Sequence, residues 1–147
     1  MNLRVFLAAL IVYQQNFKLL HWCAKGHNFN MIHEQAKNYY EKMDKDIDDV
    51  AEICLICNLR PLNIKEAYTI LEESDGEYLQ LDSSQDYDID AFIQYTDVML
   101  KSILSIIEEL TDSDEIDDDS LIGVESYLEN LHYEYLKEYK YINARRK

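Results

Sequence analysis

The sequence predicts an all-α protein: four long helices in a bundle, with a long crossover connection that carries a short helix between the second and the third. Three observations lead there. The 147 residues include one proline and three glycines, so few positions break a helix. Apolar residues recur at steps of three and four, which places them on one stripe of a helix rather than on alternate faces of a strand. One break between the apolar segments is much longer than the others. The length fits one domain over residues 1–147, and 48% hydrophobic residues can build a core without a metal or disulfide.

The first helix is expected from about Leu3 to Ala24. Arg4 and the apolar run Val5 to Tyr13 look like a short signal peptide, but Gln14, Gln15 and Asn16 follow with no small-x-small cleavage site. The run is too short to span a bilayer, and the pattern continues through Phe17, Leu19 and Leu20 as a buried helix does. Lys25-Gly26-His27-Asn28 supplies the break, with Gly26 as C′ residue and Asn28 as cap of the next helix. The second helix runs from about Phe29 to Asn58, with Ile32, Ala36, Tyr39, Met43, Ile47, Val50, Cys54 and Cys57 on its apolar stripe, and Pro61 marks its end. Residues 60–87 form the long connection, with a short helix over Ile64 to Leu71 and a turn at Ser74-Asp75-Gly76. Such a connection lets the next helix run parallel to the second, the crossover of ferritin-like bundles. The third helix is expected from about Ile89 to Leu110, with Phe92, Ile93, Thr96, Met99, Ile103, Ile107 and Leu110 inward. The fourth is expected from about Ser120 to Ile142, with Leu121, Val124, Leu128, Leu131, Tyr135 and Ile142 on one face.

The formal net charge of −15 disfavours binding to nucleic acid and favours cations, divalent metals included. The basic end Arg145-Arg146-Lys147 reads as a solvated terminus. Three cysteines, Cys23, Cys54 and Cys57, point to a reducing compartment and hence a cytoplasmic protein. Cys54 and Cys57 form a C-x-x-C, but inside a helical pattern with apolar neighbours, where small buried residues are the better reading.

The chemistry lies on the second helix, away from its apolar stripe. His33, Lys37, Glu41, Asp44, Asp48 and Glu52 recur at steps of three and four and share a polar face. Asp48 and Glu52 are one turn apart, so their carboxylates can converge on one cation. Carboxylate with imidazole suits iron or another first-row divalent metal. By itself such a stripe is usually a solvated face.

The order of motifs is more specific. Leu20-His21-Trp22-Cys23-Ala24-Lys25-Gly26-His27-Asn28-Phe29, His33-Glu34, Asp48-x-x-x-Glu52 and Arg60-Pro61-Leu62 resemble the signature of the Dps family, the miniferritins. The strict match covers about residues 17 to 62. The resemblance implies a ferritin-like four-helix bundle and a homo-oligomer, a hollow dodecameric shell built from two-fold dimers. It also implies an iron site at each two-fold interface. Asp48 and Glu52 of one subunit would hold the main iron, His21 of its neighbour would complete the site, and His33 would face a second, weaker iron position. The reaction implied is oxidation of Fe(II) to Fe(III), with hydrogen peroxide as oxidant, then storage of the mineral and protection against oxidative stress. Trp22 and the tyrosines would absorb stray oxidising equivalents or pack the interface.

Two features depart from that pattern, and a third has two readings. Lys37 stands where the family has a carboxylate; an ammonium cannot ligate while charged and repels a second cation. One good iron position per site is therefore expected, and a ferritin-like structural protein with a degenerate metal site is the alternative function. The lysine-rich DNA-binding tail of many Dps proteins has no counterpart before the first helix. The acidic stretch Asp112 to Asp119 is either a solvated loop or the lining of a cation-attracting pore.

Overall fold

The computed structural model describes residues 3–74, 79–112 and 121–145. Five helices follow one another: α1 Leu3–Trp22, α2 Phe29–Ile56, α3 Ile64–Glu73, α4 Ile89–Thr111 and α5 Ile122–Arg145. α1, α2, α4 and α5 are the four long helices; α3 is the short one inside the connection.

Helix directions follow from side-chain pairs. Gln14 donates to the Tyr40 carbonyl while Arg4 donates to that of Arg60, so α1 and α2 are antiparallel. Tyr13 donates to Ser102 at 2.9 Å and Asn16 meets Met99 Sδ, so α4 is antiparallel to α1. α2 and α4 therefore run parallel, as the crossover requires. Asn143 bonded to Asp97 and His132 beside Glu108 set α5 antiparallel to α4.

α1 is buried along nearly its whole length, with Phe6, Leu7, Leu10, Tyr13, Phe17 and Leu20 in the core. This explains the near-continuous apolar run that mimics a signal sequence: the helix packs against α2, α3 and α4 and has little face left for water. Among the described residues no helix is long and apolar enough to cross a membrane. All seven residues expected inward on α4 are buried. On α5, Val124, Leu128, Leu131, Tyr135 and Ile142 are buried, while Leu121 is half-buried ahead of the helix start.

Four local expectations are corrected. Gly26 is not the C′ residue of α1, which ends at Trp22; it takes φ 92° within the turn and its carbonyl accepts from Phe29 N at 3.1 Å. Asn28 is the residue before α2, but its side chain makes no cap hydrogen bond. Ile47 and Cys57 are only half-buried, and Asp46 lies in the core beside that stripe. α2 stops at Ile56 because Asn58 adopts φ 61°, with Asn58 N bonded to the Leu55 carbonyl and Leu59 N to that of Cys54, a Schellman end ahead of Pro61. Asp75 and Gly76 of the expected turn, residues 113–119 of the acidic stretch, Ser120, Arg146 and Lys147 lie outside the described residues.

The connection is anchored at three places. Asn63 caps α3 through a capping box with Glu66. Fully buried Asn16 of α1 donates to the Leu79 carbonyl at 2.9 Å and accepts from Leu81 N at 3.2 Å. Tyr87 then pairs with the end of α1, its N bonded to the Cys23 carbonyl and its carbonyl accepting from Lys25 N. Cys54 sits in the core, Cys23 and Cys57 pack against it, and none of the three is in a disulfide.

Candidate metal centre

The four residues expected at the site fall into two groups at opposite ends of α2. The first is a pair of imidazoles. His21 closes α1 and His33 lies in the second turn of α2, and the short α1–α2 turn stacks their rings at 3.7 Å. Each ring grips the other's backbone: His21 Nδ1 is 2.7 Å from the His33 carbonyl oxygen, and His33 Nδ1 is 2.8 Å from that of His21. A carbonyl only accepts, so both Nδ1 atoms carry the hydrogen, and the ring atom left to offer a lone pair to a metal is Nε2. A backbone-anchored imidazole with Nε2 open is the usual arrangement of a metal-binding histidine. Phe29 stacks on His33 at 5.2 Å, and the edge of Tyr40 meets His21 at 5.4 Å. Trp22, 61% exposed, and exposed Phe29 flank the pair.

The second group is acidic. Asp48, Asp49 and Glu52 can each bring one oxygen within 4.8 Å of the others. Asp48 and Glu52 are exposed, Asp49 half-buried. Asp48 also borders an open hollow of about 520 Å³ with Glu41, Asp44, Lys45, Ile47 and Ala51. The fifteen residues from His33 to Asp48 put about 22 Å of helix between the two groups. They do not meet within one chain.

Lys37 lies on the face between them, 3.8 Å from Glu41, with both side chains about half exposed. Such a pair contributes little to stability.

Sequence reasoning missed the seam behind the acidic group, where α2 faces α5. Asp46 is 3% exposed, accepts a 2.6 Å hydrogen bond from Tyr135 and lies 2.9 Å from the Lys42 ammonium. Lys42 also reaches Glu134 at 2.9 Å and sits 4.6 Å above the Tyr135 ring. A turn further on, Asp49 takes Lys45 at 2.7 Å and the Tyr127 hydroxyl at 3.3 Å on the same oxygen. The only sequence signal for Asp46 is its helical spacing from two apolar positions of the stripe, Met43 before it and Val50 after it.

Burial drives the tyrosines of this seam far above their ordinary pKa. Tyr135 is raised by burial and then by the Asp46 charge, Tyr127 by burial and then by Asp46 and Asp49, and Tyr39 by burial and then by Glu138. An unfolded chain ionises its phenols near pH 10, so above that pH it binds fewer protons than the folded chain and stability falls as pH rises. In an alkaline titration followed by tyrosinate absorbance, these three phenols are expected to ionise only together with loss of helical circular dichroism. Early, non-cooperative ionisation of all twelve tyrosines would contradict the seam.

No family model matches the sequence, and no curated protein does either. Solved structures do match. The Dps protein of Vibrio cholerae O1, a ferritin-like diiron-carboxylate protein, superposes with a TM-score of 0.83 at 19% identity, over 99% of this chain and 86% of that one. Antigen TpF1 of Treponema pallidum gives 0.84 at 16% identity over 99% and 88%, and a Dps protein of Bacillus brevis 0.83 at 17% over 99% and 92%. The chain has the all-α ferritin-like fold of Dps proteins.

Proposed function

We propose that this chain is a Dps-type miniferritin that oxidises Fe(II) and stores Fe(III), working in the cytoplasm as a single-domain subunit of a homo-oligomeric shell. The carrying observation is the division of the ligands. Two imidazoles with open Nε2 atoms stand at one end of α2 and exposed carboxylates at the other, on a fold shared with Dps proteins. A second copy packed antiparallel along α2 would bring the acids of one chain to the imidazoles of the next, and two-fold symmetry gives two such sites per dimer. The apolar surfaces fit that packing: Trp22 and Phe29 are exposed beside the imidazoles, and Leu55 and Ile56 beyond the acids.

In this reading Asp48 and Glu52 hold the iron as substrate, and His21 of the neighbouring copy completes its ligands. Anionic oxygen favours the harder Fe(III), which lowers the cost of oxidation. His33 stands beside His21 where a second iron would sit, and Lys37 supplies a positive charge there in place of a carboxylate ligand. The acidic surface gathers Fe(II). Fe(II) added with hydrogen peroxide and followed by ultraviolet absorbance tests the activity. Oxidation no faster than in buffer, with no iron retained on gel filtration, removes it; the mass of the oligomer tests the dodecamer.

A second reading, a shell protein with a weak or inactive metal site, rests on Lys37 alone. The Lys37→Asp variant separates the two. If the parent is a one-iron ferroxidase, the variant is expected to raise tightly bound iron from one to two per site, read by equilibrium dialysis. If oxidation appears only in the variant, the second reading holds.

A further inference from the structure

Hydrogen peroxide takes two electrons, and one Fe(II) provides one. With Lys37 in place of a second iron ligand, the site needs another donor close to Asp48 and Glu52. Tyr127 has that place. Its hydroxyl is 3.3 Å from Asp49 Oδ2, and Asp49 is the carboxylate that stands with Asp48 and Glu52. Among the described residues it is the redox-active ring whose hydroxyl is joined to the acidic half of the site. Tyr39 and Tyr135 bond Glu138 and Asp46 instead. The Tyr135 ring also lies beneath the Lys42 ammonium, a charge that opposes removal of an electron.

Resting on the iron-oxidising reading above, we infer that Tyr127, placed beside the acids by its contact with Asp49, is the second electron donor of the site. In the first half-reaction Fe(II) gives one electron to hydrogen peroxide and Tyr127 gives the other. The Tyr127 O–H bond and the peroxide O–O bond break, and the phenol's proton with one from solvent completes two water molecules. The Tyr127 phenoxyl radical is left. In the second half-reaction another Fe(II) returns an electron to that radical and a solvent proton restores the hydroxyl. The sum is two Fe(II), one hydrogen peroxide and two protons giving two Fe(III) and two waters. No hydroxyl radical leaves the site.

The test loads the intact oligomer anaerobically with one Fe(II) per site, adds hydrogen peroxide, freezes the mixture and records the electron paramagnetic resonance spectrum. Fe(III) and spin-trapped hydroxyl radical are counted on parallel samples. A tyrosyl radical is expected in the parent and in Tyr133→Phe, which removes the hydroxyl of an exposed ring that lies under Lys137. It is expected to vanish in Tyr127→Phe, where the hydroxyl adduct rises several-fold. Iron oxidised with an undiminished radical in Tyr127→Phe, or a radical lost only in Trp22→Phe or Tyr40→Phe, overturns the inference. No iron oxidised in the parent sinks the ferroxidase reading and this one with it. Because Tyr127→Phe can disturb the α2–α5 seam, a nitroso spin trap in the parent, located by mass spectrometry, gives an answer without a variant: an adduct on Tyr127 supports the assignment, and one confined to Trp22 or Tyr40 refutes it.

Discussion

Changing Asp48→Asn and Glu52→Gln together is expected to abolish Fe(II) oxidation above the buffer rate, and co-assembly with a histidine-deficient chain is expected to bring part of it back. The histidine-deficient partner is best made as His21→Asn with His33→Asn, because an amide nitrogen can still donate to the carbonyl that each ring now holds. On the proposed two-fold arrangement neither chain has a complete site in its own dimer, and in a mixed dimer one of the two sites joins the intact acids to the intact imidazoles while the other joins two defective halves. With random pairing at equal amounts, half the dimers are mixed, so about a quarter of the parent activity returns. No recovery in assembled mixed oligomers would show that the halves do not meet across a two-fold. Full activity in either chain alone would show that the ligands were wrongly chosen.

The second large effect concerns stability. Asp46→Ala is expected to cost about 3 kcal/mol, since it leaves the fully buried Tyr135 hydroxyl without its acceptor and takes from Lys42 one of its two carboxylates. For a chain of this size that lowers Tm by roughly 10 °C, measured at fixed protein concentration. Tyr135→Phe costs less, about 1 kcal/mol, because Asp46 keeps Lys42. Asp46→Leu combined with Tyr135→Phe should recover much of the loss, since no buried polar group then lacks a partner. A double variant as damaged as the sum of the two single changes would mean that the two groups do not act as a pair.

What could be read from the chain divides along the same lines. Helix order, the crossover and most of the α4 and α5 core were legible because apolar spacing within one helix is a local property; Leu100, Leu104 and Ile106, buried beside the α4 stripe, were not picked out. Asp46 was not, because its burial is made tolerable by Tyr135, eighty-nine positions away, as well as by Lys42 on its own helix. A reading by hydropathy takes Ile47 for the core instead, and Ile47 is half-buried. His21 and His33 were picked out as ligands through a resemblance in motif order; their mutual grip on each other's backbone appears only once the turn at Gly26 is closed. Asp49 was not singled out, because its link to Tyr127 depends on how α5 lies against α2.

The Asn16 contact bears on how such a chain can be made. Its amide waits, in the middle of α1, for backbone groups of Leu79 and Leu81 that are synthesised more than sixty residues later. The α1–α2 hairpin is closed by local pairings and can form as it leaves the ribosome, with that amide still wetted. Only when the later segment docks is the water displaced, and the same event sets the path that α4 must take. Through Asn16 the route into α4 is thus tied to a helix that is made well before it.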